Sequence, residues 1–175
     1  MLMKKIKNQK GVGIVEVLVA LLLLAVGVLG YVALQLRAVE ASSEALNRSQ
    51  ALVVMRSVTE SIRANVAGQS FYPTAMQRYT DYTTATAAPT SCLNSACTPS
   101  QLANYEAYES AKMAYEVGIK VTMTDCPGVS TASVKRQCIF GAWGNTAITS
   151  TSYANCMSND GTYLPEARCV MMEAY

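Results

Sequence analysis

Residues 4–34 read KKIKNQKGVGIVEVLVALLLLAVGVLGYVAL, and this stretch decides how the rest of the 175-residue chain is organised. Lys4, Lys5, Lys7 and Lys10 come first, with no acid among them, and Gly11 closes the basic part. Val12 to Leu34 then makes 23 residues in which Glu16 is the only charge. A helix needs about 20 apolar residues to cross a bilayer core, so this run is long enough. It exceeds the ~7–15-residue apolar core of an ordinary secretory signal. No A-x-A cleavage pattern lies in or just after it. Positive flanks stay on the cytoplasmic side. The expected topology is therefore a single membrane pass, with the N-terminus cytoplasmic and the remainder exported. Glu16 is the awkward residue. A carboxylate at the centre of a spanning helix costs about 2.5–3.5 kcal/mol. Near the helix start the cost is smaller, because the helix dipole favours an acid there.

The apolar run continues without a break into RAVEASSEALNRSQALVVMRSVTESIRANV, residues 37–66, which holds no proline or glycine. Ala51, Met55, Val58, Ile62 and Val66 recur at spacings of three and four, the pattern of one apolar helix face. Glu44 with Arg48, and Arg56 with Glu60, stand at the i,i+4 spacing of exposed ion pairs. Residues 12–66 thus predict one nearly continuous helix of roughly 80 Å, ended by Gly68. Gly27 and Gly30 are its weak points, each costing about 1 kcal/mol relative to alanine. They suit either a close helix contact or a segment that can stretch.

Residues 69–97 are rich in Thr, Ser, Tyr and Ala, contain Pro73 and Pro89, and read as an irregular connection. Thr98, Pro99 and Gln101 then form a helix start with a capping box, predicting a second helix over 99–115. In EVGIKVTMT, residues 116–124, Val117, Ile119, Val121 and Met123 alternate with Glu116, Lys120, Thr122 and Thr124, as in a half-buried strand. CIFGAW (138–143), NTAITSTSY (145–153) and ARCVMMEA (167–174) are further strand candidates, separated by turn signals at Gly144-Asn145 and Asn159-Asp160-Gly161.

The six cysteines, Cys92, Cys97, Cys126, Cys138, Cys156 and Cys169, all lie in the expected exported part. An even number there reads as disulfides in an oxidising compartment. Six cysteines admit fifteen pairings. The favoured one joins chain neighbours, Cys92–Cys97, Cys126–Cys138 and Cys156–Cys169, because each closes a short loop. The expected fold class is α+β: a long N-terminal helix, transmembrane in its first half, packed on a small antiparallel sheet with disulfide-stapled loops.

Several function classes find little support. The chain has no histidine and no C-x-x-C pair, which argues against a zinc site. It has no G-x-S-x-G motif and no convincing acid pair, so it is not expected to be an enzyme or to hold a cofactor or metal. Asn159-Asp160-Gly161 offers two oxygen side chains before a glycine, a pattern commoner in turns than in calcium loops. Removing residues 1–11 takes away four lysines and no acid, so the side-chain charge falls from +2 to −2. Nucleic-acid binding proteins carry the opposite footprint, so none is expected.

The stretch KGVGIVE resembles the processing site of type IV prepilins. In that family a short basic leader ends in glycine, the next residue becomes the mature N-terminus, and a glutamate stands fifth from it. Here these are Gly11, Val12 and Glu16. The family usually has phenylalanine at the first mature position, and valine also occurs. The helix text from Glu16 to Asn65, and CTPSQLANYE, further resemble the minor pilins called type IV pilus modification proteins, the PilV group.

The resemblance implies a leader, 1–11, cleaved between Gly11 and Val12 by a prepilin peptidase at the cytoplasmic face. It implies N-methylation of the Val12 amine, which keeps its charge, and charge pairing of Glu16 during assembly. Residues 12–36 would form the membrane and filament-core half of the helix, 37–67 its amphipathic half, and 68–175 the globular head. The implied partners are the peptidase, other minor pilins and the major pilin, the inner-membrane assembly platform and a tip adhesin. The implied role is a minor pilin that primes or modifies pilus assembly at or near the tip, supporting twitching motility and adhesion at the cell surface. A minor pseudopilin of a type II secretion system shares the same helix and peptidase. A single-span anchored periplasmic enzyme or binding domain is the reading from another class.

Overall fold

The computed structural model describes residues 11–129, 132 and 134–175. The expected leader lysines at 4, 5, 7 and 10 lie outside the described residues. Helix α1 runs Ile14–Ala64, a short 3-10 helix Val66–Phe71, α2 Tyr72–Arg78 and α3 Pro99–Glu116. Strands β1 Ile119–Asp125, β2 Gln137–Trp143 and β3 Cys169–Glu173 form one antiparallel sheet in the order β1-β2-β3. The architecture is the expected α+β fold, with a long apolar N-terminal helix, a small antiparallel sheet and three disulfides.

The chain divides into two units, one ending at Ser43 and one spanning Glu44–Tyr175. In the first, every described residue is exposed, from Ile14 at 81% to Leu34 at 72% of full accessibility and on to Ser43. A Cβ added at Gly27 or Gly30 would meet nothing within 4 Å. Among the described residues these glycines therefore serve no packing.

The second unit is built around its share of α1. Ala51, Val54, Met55, Val58, Thr59 and Ile62 are buried. The expected fifth member of the stripe, Val66, is 72% exposed, because α1 has ended at Ala64 and the 3-10 turn rotates it outward. Gly141 in β2 sets the approach of helix to sheet: a Cβ there would lie 3.2 Å from Met55 Sδ and 3.4 Å from Ala51 Cβ. Larger residues at Gly141 would push α1 off the strand that supplies Ile139 and Trp143 to the same core. Glu44 takes a tertiary partner in place of Arg48. The Trp143 indole N–H donates to its carboxylate at 2.9 Å, and Arg168 Nε lies 3.9 Å away. Glu60 likewise pairs with Arg63 at 2.8 Å and not with Arg56.

Gly68 does not simply stop the helix. A Cβ there would fall 2.2 Å from Asn65 Nδ2 and 2.6 Å from the Pro99 carbonyl, so only glycine fits where the 3-10 turn meets the start of α3. Asn65 bridges the two, donating to the Pro99 carbonyl at 2.8 Å. The chain then stays helical through α2, where an irregular connection was expected. Pro73 sits in the first turn of α2, where its missing N–H costs nothing. Tyr72, Ala75 and Met76 provide the buried face. Helix α3 starts as expected: Thr98 Oγ1 accepts from the Gln101 N–H at 3.3 Å, and the Gln101 side chain accepts from the Thr98 N–H at 2.9 Å. Its buried alanines 103, 107, 111 and 114 form one smooth stripe.

Both faces of the sheet are covered. Ile119, Val121, Met123, Ile139 and Trp143 join the helix-side core, while Cys138, Phe140, Ala142 and Cys169 pack with Ile148, Cys156 and Met157 on the other side. Thr122 and Thr124, expected on the solvent side, are therefore buried. Thr122 remains satisfied by donating to the Ser150 carbonyl at 2.9 Å. Residues 145–153 supply this cover as an irregular segment, not as the expected strand. Disulfides join Cys92 to Cys97, Cys126 to Cys138 and Cys156 to Cys169, and the last two lie in this second core.

The buried Tyr72 hydroxyl donates to the Glu106 carboxylate and accepts from Asn65 Nδ2 at 3.5 Å, with the Ser61 carbonyl at 3.2 Å. Burial first, and then the Glu106 hydrogen bond, push its pKa well above the ordinary 10. A proton held more tightly in the folded state means that stability is full below the unfolded value and falls as pH rises past about 10. Tyr72→Phe should lower Tm at neutral pH, by about 1–3 kcal/mol of stability for the orphaned partners. It should also make the loss of Tm between about pH 9 and about pH 11 shallower than in the parent chain. Thermal melts across that range check both effects.

Candidate functional site

The candidate site is the start of α1. Gly11, Val12 and Gly13 precede the helix and are exposed. The Gly13 carbonyl accepts from the Glu16 N–H at 3.0 Å and the Val17 N–H at 3.3 Å, so the helix begins after Gly13, two residues later than expected. Val-Gly is the local reason. Glycine carries a large conformational cost inside a helix but caps one readily. Glu16 thus stands in the first turn, where its charge faces the positive end of the helix dipole. Its side chain is exposed and has no ion-pair partner among the described residues.

The surrounding surface is apolar all round. Ile14, Val15, Val17 and Leu18, and every large apolar residue onward to Val39, are exposed. An 18-residue window of α1 reaches a mean hydropathy of 2.8 with none of it buried. A core helix of a globular protein would bury such a face, and this one does not. Its apolar surface calls for lipid or other helices as cover.

Residues 6–32 match the prokaryotic N-terminal methylation motif. Residues 33–108 match the Tt1218-like family model, described as type IV pilin Tt1218. The two matches adjoin, run from residue 6 through α1 into α3, and together span 6–108 of the 175 residues. The chain belongs to the type IV pilins. No curated protein and no solved structure matches it. A pilin is a structural subunit and not an enzyme, which removes the anchored-enzyme reading. The methylation motif implies processing by prepilin peptidase and assembly with other pilins. Membrane anchoring and pilus assembly accord with the pilin's exposed apolar helix.

The other sequence candidates resolve as structural features. Among the described residues, no group of three or more His, Cys, Asp or Glu side chains could hold a metal ion. The Asp160 carboxylate closes its own turn, accepting from the Ser158 hydroxyl and from the Thr162 N–H at 3.0 Å. Those hydrogen bonds, Ser158 first, hold it below the ordinary carboxylate range. All six cysteines are consumed in disulfides. The role of Gly13 as the helix start escaped the sequence reading, although a glycine two residues before Val15-Glu16 is itself a capping signal.

Proposed function

We propose that this pilin is a minor subunit of the PilV-like kind, placed at or near the pilus tip, where it primes or modifies assembly and supports twitching motility and adhesion. The observation that carries the reading is Gly11-Val12 with Glu16 in the first turn of an apolar helix that its own chain leaves uncovered. Cleavage after Gly11 requires a backbone that enters a narrow peptidase site, and glycine has no side chain to obstruct it. The new Val12 amine, methylated and still charged, is the natural partner for Glu16. A buried charge without a partner is strongly penalised. Pairing Glu16 of an incoming subunit with the Val12 amine of one already in place would reward correct axial register. The lysines before Gly11 support a single pass with the head, 68–175, on the periplasmic side until assembly draws residues 12–36 into the filament core. The amphipathic part, 37–67, joins the two. The assembly platform, the major pilin, other minor pilins and a tip adhesin are the partners this role needs. The disulfides support passage through an oxidising compartment.

Replacing Glu16 with alanine should leave processing and membrane insertion intact. The amount of the variant in sheared filaments should fall several-fold. Normal incorporation would count against the register role. Deleting the gene separates the pilus reading from the pseudopilin one. Loss of surface pili and twitching, with exoprotein secretion intact, is the expected result, whereas loss of secreted exoproteins with pili retained would assign the chain to type II secretion.

A further inference from the structure

A cleft of about 500 Å³ opens in the head between α2, the end of β1, the start of β2 and the irregular segment after β2. Its size falls within the ~300–1,000 Å³ of small-ligand sites. Gln77, Asp125, Gln137, Thr151, Tyr153 and Asn159 carry its polar lining. The walls are fixed before any ligand arrives. Gln77 Nε2 donates to the Met123 carbonyl at 2.9 Å, and Gln137 Nε2 donates to Asp125 Oδ1 at 2.7 Å. The Cys126–Cys138 disulfide ties the two strands beside it. Phe140 stacks on the Tyr153 ring with centroids 4.3 Å apart and planes 5° apart, which fixes the ring's orientation.

The chemistry of the lining excludes most ligand classes. Among the described residues Asp125 is the only charged side chain in the lining, and Lys135 pairs with its Oδ2 at 3.3 Å. A phosphate would face the Asp125 carboxylate, with the neighbouring Lys135 already paired to it. A divalent cation would find a single carboxylate where oxygen-rich coordination is needed. Amides and hydroxyls dominate, so a wholly apolar ligand would strand them. Among the described residues, the side-chain carbonyls of Gln77 and Gln137, the Asn159 amide and the Thr151 and Tyr153 hydroxyls make no hydrogen bond within the chain. What fits is a neutral molecule dense in hydroxyls with one apolar face. Planar amides and a carboxylate can each bridge neighbouring hydroxyls. An aromatic ring offers a flat apolar wall. The Tyr153 hydroxyl is a donor at neutral pH, and burial, then the nearby Asp125 charge, raise its pKa above the ordinary 10. We propose that this cleft binds a neutral pyranose unit, a hexose or N-acetylhexosamine, which gives the pilin head a saccharide-binding activity of its own.

The test uses the full processed chain in detergent, so its outcome does not depend on any role in the filament. Binding is measured against neutral oligosaccharides of hexose and N-acetylhexosamine, against sialylated and sulfated counterparts, and against soluble peptidoglycan fragments. Retention of the neutral oligosaccharides supports the site, and added retention of the peptidoglycan fragments, which carry stem-peptide carboxylates, tells an envelope source from an external one. Tyr153→Ala should weaken that binding about tenfold or more. Thr151→Trp changes an exposed residue at the rim, so it should block the cleft while leaving the melting curve unchanged. No retention, retention of the charged glycans or peptidoglycan fragments alone, or binding by both variants equal to that of the parent chain would overturn the proposal.

Discussion

The structure turns on a helix that cannot be satisfied by its own chain. From Ile14 to Ser43 no side chain of α1 is buried. At about 25 cal/mol per Å² of apolar surface, leaving such a face in water is prohibitive for a domain of ordinary stability. The chain must therefore stay in a membrane or in a bundle of like helices. An identical demand on every subunit is what would allow the proposed transfer between the two, because lipid and neighbouring apolar helices offer comparable cover. In the assembly proposed above, Glu16 would make the exchange specific. In either setting it is the one group in the apolar run whose charge demands a partner.

The head answers a different constraint, that of building a stable unit from a three-stranded sheet. Three strands are marginal with one face open to water. Here the C-terminal half of α1 covers one face, approaching so closely that β2 requires Gly141. The opposite face is closed by irregular chain around Ile148 and Met157, held by two disulfides. Tethering short loops restricts the unfolded chain, which compensates for the absence of a second sheet or helix on that side. The Trp143 to Glu44 hydrogen bond fixes the first turn of the helical part that belongs to the head. The same irregular segment that closes the second core also forms one wall of the polar cleft.

Features set by local pattern were legible in the sequence. The apolar run and the stripe of Ala51, Met55, Val58 and Ile62 announced α1, and Thr98, Pro99 and Gln101 announced α3. The motif around Gly11, Val12 and Glu16 pointed to the pilin family because it is short and contiguous. Features set by tertiary cover were not legible. Thr122 and Thr124 alternate like solvent-facing residues, yet distant chain buries them. Residues 145–153 have strand composition but find no strand to pair with. Helix α2 hides behind Pro73, which reads as a breaker unless it falls in a first turn. Glu44 and Glu60 obeyed helix spacing rules worth a few tenths of a kcal/mol, and better placed partners displaced them. Gly68 reads as a helix stop, and only the nearby Pro99 carbonyl reveals a steric requirement. The cleft combines residues from α2, both strand ends and the later loop, so no stretch of sequence could show it.

We propose that this chain is cut between Gly11 and Val12 and that the amine thereby exposed is the charge Glu16 needs. Mass spectrometry of the N-terminal peptide from the membrane-purified protein and from sheared filaments tests it most directly. Cleavage and methylation as proposed give a peptide beginning at Val12 with a methylated amine. A peptide retaining Met1, or one starting beyond residue 30, would contradict it.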